Sequence, residues 1–329
     1  TDIRLRTLID TIDRTTLTNR AVKIQGQVAN GFRIGFTHFN SAKTKLGRGT
    51  SPTRPDETTF NQSGTGKGLF SGSGDWVIGN DLVLSAKGSY YNSGFQLDPR
   101  GGLDGPGVIQ DLAGVYGNSF LFYGSDRPQR SVTADANYFR GNHELKVGFG
   151  WRKIGVESQL EWPGGQLSIH LADTPDGLLM LPIFFQADNL STTDGRYWSM
   201  YAGDTISMDR FTLDVGLRFD RAAASLSEDS RRAHPVIPDI FPALTTPAQD
   251  NTHIFNIVTP RVGVSYALGE EADTLVRASY GQFASQLSTS DAQFVAGPLY
   301  YSYVYYYALD ANGDGLAQVD ELSPYGYGI

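Results

Sequence analysis

Apolar and polar residues alternate strictly along several stretches of the chain. In FTLDVGLRFD (211–220), Phe211, Leu213, Val215, Leu217 and Phe219 are apolar, while Thr212, Asp214, Gly216, Arg218 and Asp220 are polar or small. Side chains of a strand point to opposite faces in turn, so this stretch predicts a β-strand with one apolar and one polar face. Similar stretches come in pairs. RAVKIQGQV (20–28) places Val22, Ile24, Gly26 and Val28 on one face; FRIGFTHF (32–39) follows, with Phe32, Ile34, Phe36 and His38 together. The pairs 70–78 with 82–91, 131–139 with 144–151, 196–208 with 211–220, and 261–268 with 274–283 complete the series. Each pair is joined by a short segment carrying Gly, Asn or Asp, the residues that tight hairpin turns demand. Five antiparallel hairpins are predicted.

Between the hairpins lie long segments, roughly 42–68, 96–128, 157–194, 223–256 and 286–329, rich in Gly, Pro, Ser, Thr, Asn and Asp. Loops of such length are uncommon in compact soluble domains. Short turns at one end and long loops at the other are the layout of a transmembrane β-barrel, whose strands run about 9–11 residues. Ten residues at ~3.3 Å each, tilted by ~40°, rise about 25 Å, the height of an apolar membrane band. The fold class expected is therefore all-β, an antiparallel transmembrane β-barrel fragment of about ten strands. The apolar face would meet lipid. Tyr90, Tyr91, Tyr138, Phe139, Trp151, Tyr197, Trp198, Phe211, Phe219, Tyr266 and Tyr280 would form aromatic girdles. Lys23, Asp135, Lys146, Asp214, Arg218, Asp220, Arg261 and Arg277 would face the lumen. A soluble sandwich would bury both sheet faces, and a propeller would show a repeat of about 40–50 residues, of which there is none.

Composition narrows the picture. The chain has 329 residues, Gly 38, Tyr 17, Phe 18 and Cys 0. Glycine and aromatic richness favours strands. The lack of cysteine excludes a disulfide scaffold and a thiolate metal site. No apolar run approaches the ~18 residues of a membrane helix. The net charge of −8 argues against a nucleic-acid partner, because phosphate backbones select basic surfaces. Neither end of the chain has the character of a natural terminus: TDIRLRTLID lacks an apolar signal core, and SPYGYGI reads as interior sequence.

One motif carries chemistry. Asp310-Ala-Asn312-Gly-Asp314-Gly315-Leu316-Ala-Gln318-Val-Asp320-Glu321 fits the calcium-loop pattern D-x-[DN]-x-[DN]-G-x5-E. Asp310, Asn312 and Asp314 would supply side-chain oxygens, Leu316 its carbonyl, and Glu321 a bidentate carboxylate. The preceding YYSYVYYYAL is strand-like, so a helical EF-hand is not expected. The rival is a turn of Asp, Asn and Gly with no ion. SGTGKG (63–68) lacks the Gly and Ser/Thr that a phosphate loop requires, and reads as loop. The five histidines, His38, His143, His170, His234 and His253, show no metal spacing. No nucleophile elbow or catalytic pair stands out, and no enzyme is expected. The basic clusters SAKTKLGRG (41–49) and DSRRAH (229–234) fall in or beside predicted outer loops, where they could touch anionic lipid.

HELKVGFGWR (143–152), PRVGVSYAL (260–268) with TLVRASYGQF (274–283), and NSGFQLDPRGG (92–102) resemble the barrel of TonB-dependent outer-membrane receptors. NRAVKIQGQVANGFRIGFTHFNSAKTKLGRG (19–49) and RPDETTFNQ (54–62) resemble its Oar-like branch. The resemblance implies a 22-stranded barrel in the outer membrane of a Gram-negative bacterium. It also implies an N-terminal plug, a TonB box and, in this branch, a regulatory-like domain. Residues 1–329 would be part of the barrel alone, with the plug, that domain and the C-terminal strands missing. The implied partners are outer-membrane lipid, TonB acting through the plug, and an unknown solute bound at the outer loops. Two rivals stay open: an adhesion or structural protein on the same barrel, and a soluble secreted calcium-binding β protein.

Overall fold

The computed structural model describes residues 2–6, 10–169, 172–173, 179–269, 273–285, 287–289, 303–323 and 327–328. Ten long strands follow one another: β1 (Asp10–Ala29), β2 (Phe32–Arg48), β3 (Gly68–Ile78), β4 (Leu82–Pro99), β5 (Phe122–Arg140), β6 (His143–Glu161), β7 (Asn189–Met208), β8 (Phe211–Leu226), β9 (Gln249–Leu268) and β10 (Thr274–Gly281). Each pairs antiparallel with its neighbours in chain order. The short strands Asp2–Arg6, beside β1, and Phe60–Gly64, between the far ends of β2 and β4, bring this sheet to 12 strands. Among the described residues no helix is long and apolar enough to cross a membrane, which leaves crossing by strands open.

All five predicted hairpins are present. Their turns need unusual backbone. Gly31 has φ 72°, and a Cβ there would sit 2.4 Å from the Val77 carbonyl oxygen. Asp209 takes φ 51° between β7 and β8. Both conformations suit the twist of a tight hairpin.

The strands are longer than the sequence pattern foretells. β1, β7 and β9 run 20 residues, and β5 and β6 run 19. The long segments expected as loops are thus partly strand, on either side of every predicted gap but the last. The physical reason is plain. In the extensions apolar and polar residues no longer alternate: Ala222–Leu226 of β8 is buried on both faces, and the buried Ser191 and Thr193 of β7 are polar, so the strand continues without a period.

Register sorts the two faces. Phe149, Met200, Phe219 and Val258 are direct partners across four strands, as are Val147, Ala202, Leu217 and Pro260. This face is apolar and uncovered: Val215, Leu217 and Phe219 are 38%, 59% and 39% exposed. The soluble reading needed these side chains hidden, and it is overturned. A monomer in water does not present a continuous apolar face of this extent. Instead, the largest fully buried apolar side chains, Phe185, Ile183 and Val108, lie outside the long strands. They belong to a separate sheet of seven short strands built from the long connections, which joins Val108–Gln110, Gln166–Ile169, Leu179–Gln186 and Tyr303–Asp310 among others. A core of Ile183, Phe185, Ile237, Phe241, Val304 and Ala308 holds it.

The aromatic assignment needs correction. Tyr90, Tyr138, Trp151, Trp198, Phe211, Phe219, Tyr266 and Tyr280 do lie on the apolar face. Tyr91, Phe139 and Tyr197 lie on the other, because consecutive strand residues cannot share a face. Phe32, Phe70 and Trp76 join the apolar set. Phe32 meets Trp76 edge-on at 6.2 Å, and Phe70 stacks on His38 at 4.3 Å.

Candidate functional site

The eight charged residues expected on the polar face all lie there, opposite the apolar set. They are not one cluster. Lys23 on β1 and Arg277 on β10 stand near opposite edges of the sheet. Asp135, Arg218 and Asp220 come together on β5 and β8 around Tyr201 of β7. The Tyr201 hydroxyl donates to Asp135 Oδ1 at 2.5 Å. Tyr201 and Arg218 are register partners. Arg218 donates from Nε and Nη2 to both oxygens of Asp220, each at 2.8 Å. This fork is the strong form of an arginine–carboxylate pair. Asp214 accepts from Thr205 Oγ1 at 2.7 Å, and Lys146 pairs with Glu144 at 2.8 Å.

Glycine makes the room for this arrangement. Gly148 and Gly150 of β6, Gly203 of β7 and Gly216 of β8 share the polar face. A Cβ at Gly148 would lie 2.3 Å from the Tyr201 ring and 2.6 Å from Asp135 Oδ1. The ring lies across the bare backbone, and the hollow beside it encloses about 600 Å³ lined by Lys146, Asp214, Arg218 and Arg261. A second hollow of about 330 Å³ continues toward the loop end. There Arg152 lies 4.3 Å over the Tyr197 ring and Arg261 lies 5.0 Å over Phe283. Tyr197 donates its hydroxyl to the Leu287 carbonyl, and Leu287 packs on Ala222, Ala224 and Leu226. Leu287 is thereby fastened to the sheet. Stacked guanidiniums keep most of their N–H donors free, so this wall can hold polar and anionic groups. The sequence reading passed over Tyr201 and the glycines and put Tyr197 in the girdle, although all share the face of Arg218 and Asp220.

The candidate calcium loop lies at the loop end, after Tyr303–Asp310. Asp310 is 2% exposed and caps the turn: Oδ1 accepts from Gly313 N at 2.7 Å and Asp314 N at 3.2 Å, and Oδ2 accepts from Gly315 N at 2.8 Å. Asn312 Oδ1 accepts from Asp314 N, and Asp314 Oδ1 from Leu316 N. Glu321 folds back to accept from Ala311 N and Gln318 N. Gly313 and Gly315 both have φ 75°. Among the described residues no group of three or more His, Asp or Glu side chains converges as a metal cluster. The loop's carboxylates are directed onto its own backbone.

The histidines are dispersed. His143 Nδ1 lies 2.6 Å from Asp204 Oδ2, near the turns. His170 lies outside the described residues. His234 is buried at the loop end, where its Nδ1 accepts from Val236 N at 3.1 Å and Ile237 N at 3.2 Å. Its Nε2–H therefore donates to the Gly165 carbonyl at 2.8 Å. Burial pushes the His234 pKa down, outweighing the opposing pull of Gly165 and Asp188. Burial likewise pushes the Asp229 carboxyl up, although Thr192 N donates to it at 3.0 Å.

Comparison with known proteins agrees with this architecture. Residues 4–324 match the family described as TonB dependent receptor-like, beta-barrel. No curated protein matches by sequence. Among the solved structures that are similar, two illustrate the likeness. The ferric-catecholate import receptor Fiu of E. coli K12, in its open form, superposes with a TM-score of 0.54 at 11% identity, over 90% of this chain and 49% of that one. The copper transporter OprC superposes with a TM-score of 0.53 at 14% identity, over 93% of this chain and 44% of that one. At such identity the likeness is one of fold, and the chain spans about half the length of either. The family is one of receptors and transporters, not enzymes. A match over nearly the whole chain, on a sheet with an uncovered apolar face and a charged, glycine-hollowed one, shows that this chain belongs to the TonB-dependent receptor β-barrel family.

Proposed function

We propose that the chain is part of a larger barrel of an outer-membrane receptor that takes up a solute with energy from TonB. The observation that carries this reading is the split of a single ten-strand run into a lipid-ready face and a polar face hollowed around Tyr201. An apolar face left uncovered over so many strands is stable only against hydrocarbon. The opposite face then bounds an aqueous interior, where Arg152, Arg218 and Arg261 contact the passing solute or the plug. The half-length match to two metal-related receptors supports a barrel completed by further strands. The likeness of segments 19–49 and 54–62 to the Oar-like branch belongs to the same proposal.

At the loop end, Asp310, Asn312, Asp314, the Leu316 carbonyl and Glu321 take calcium. The left-handed glycine at the sixth position and the buried first aspartate support this, and Asp310 Oδ2, Asp314 Oδ1 and both Glu321 oxygens accept one N–H bond each, which leaves each a lone pair. The ion would brace the loop-built sheet.

Uptake is tested by supplying a metabolite mixture to cells with and without the protein, and with and without TonB. Depletion of one solute that needs both supports the reading. No protein-dependent depletion, with the protein folded in the outer membrane, would favour an adhesion or structural role on the same barrel.

A further inference from the structure

The apolar face ends, on the side of the strand extensions, in a row of cations. Arg130 of β5 is the register partner of Lys153 of β6, and Lys153 of Arg196 of β7. The adjoining row toward the apolar band is Val132, Trp151, Trp198 and Arg221, again direct partners across four strands. Four basic residues thus share one face within two successive rows. Adjacent strands lie about 4.8 Å apart, so the Cα atoms of Arg130 and Arg196 are about 10 Å apart. Trp151 and Trp198, whose rings approach to 6.3 Å, mark the border where such side chains sit at headgroup level.

These cations are available. Arg130 and Arg196 are exposed, and Lys153 and Arg221 are half-buried. Arg130 lies 5.8 Å over the Tyr90 ring, and Arg221 donates to Asn256 Oδ1 at 3.1 Å. Lys153 shares Asp194 at 3.2 Å, and Arg196 has no carboxylate partner among the described residues. The next outward carboxylates, Asp126 and Glu157, are a register pair about 13 Å further along the strands from Lys153. At the turn end of the same face the charges are mixed, with Arg140, His143 and Asp204 close together. A net-positive cluster, four cations to the one carboxylate of Asp194, therefore occurs at one border of the apolar band and not at the other.

We propose that Arg130, Lys153, Arg196 and Arg221 form a docking surface for the phosphate groups of an anionic membrane lipid whose acyl chains lie against Trp151, Trp198 and the band below. The inference rests on the reading that the apolar face meets lipid, and adds to it the headgroup chemistry. Guanidinium and ammonium groups recognise phosphate through charge-assisted hydrogen bonds. The adjoining apolar surface selects a phosphate carried by a lipid over a free one.

The test uses the full-length protein in vesicles of phosphatidylcholine containing a minor fraction of phosphatidic acid with brominated chains, which quench tryptophans they touch. Brominated phosphatidylcholine at the same fraction is the reference. The anionic lipid is expected to quench more strongly, with its relative association lowered about fivefold or more in Arg130→Gln/Lys153→Gln/Arg196→Gln. Lys87→Gln, on the polar face, should change nothing, and heat-dependent gel mobility reports that each variant is folded. Equal quenching by both lipids in the parent protein would overturn the proposal, as would an unaltered preference in the triple variant. Loss of the preference on adding inorganic phosphate at moderate concentration would assign the site to the free anion and also overturn it. Failure of the parent protein to insert would overturn the lipid-facing reading itself, a result distinct from insertion without preference.

Discussion

Leu217→Arg separates a lipid-facing from a water-facing sheet. Leu217 is 59% exposed, and its direct partners are Ala202 and Pro260, with Val147 one strand further. On a water-exposed surface such a change alters stability by about 0.5 kcal/mol or less. In a bilayer the arginine lies in the row of Val147 and Ala202, midway between the row of His143 and that of Trp151. At the midplane of a barrel the penalty is about 2–4 kcal/mol, falling toward the interfaces, and a cost in that range is expected. Asp204 is opposite Val215, so Leu217 is the better probe because it has no acidic register partner. The assay is reversible folding of the full-length protein into vesicles, titrated with denaturant. Ser279→Arg, on the polar face, is the control and should stay within about 0.5 kcal/mol. A Leu217→Arg effect no larger than that control would refute the reasoning.

The remaining predictions address the site and the loop end. Tyr201→Phe removes a hydrogen bond to the Asp135 carboxylate and should cost about 1–2 kcal/mol in the same titration. Gly148→Val should displace the Tyr201 ring, because a Cβ there would already lie 2.3 Å from it, and should lower solute uptake more than Tyr201→Phe does. His234 is held neutral by burial, so the unfolded chain binds its proton first as pH falls. Loop-core stability should therefore be full above about pH 6.5 and decline below it, by at most about 1.4 kcal/mol per pH unit, read as loss of amide-exchange protection at Val236 and Ile237. His234→Gln should flatten that dependence. Asp310→Ala strips three N–H groups of their acceptor and should cost about 2 kcal/mol in exchange protection over 304–322. Calcium should raise protection there in the parent protein and leave Asp310→Ala unchanged.

The sheet was legible where one physical constraint acted on every second residue. Phe211 to Phe219 read correctly because every second residue of that stretch lies on the uncovered apolar face. The eight charges on the opposite face followed from the same parity. Tyr91, Phe139 and Tyr197 were misplaced when position near a strand end was weighed above parity. The extensions of β7 back to Asn189 and of β9 back to Gln249 had no apolar period to announce them, because polar residues such as Ser191 and Thr193 occupy even the buried face there. The loop-built sheet was illegible for another reason. It pairs Leu167 with Val108 and Leu181 with Ala308, contacts between connections far apart in sequence that no local pattern encodes. The same holds for the site: Arg218 and Asp220 are neighbours by parity, but Tyr201 and Asp135 are 66 residues apart.

The most direct measurement is a nitroxide scan of residues 211–220 in the full-length protein in a bilayer, made simple by the absence of cysteine from this chain. Collision rates with oxygen, which concentrates in lipid, and with a water-soluble nickel chelate are read at each position. The account predicts a period of two, with oxygen dominating at 211, 213, 215, 217 and 219 and the chelate dominating at 212, 214, 216, 218 and 220. Equal collision rates at odd and even positions, or chelate access at 213, 215 and 217, would contradict it.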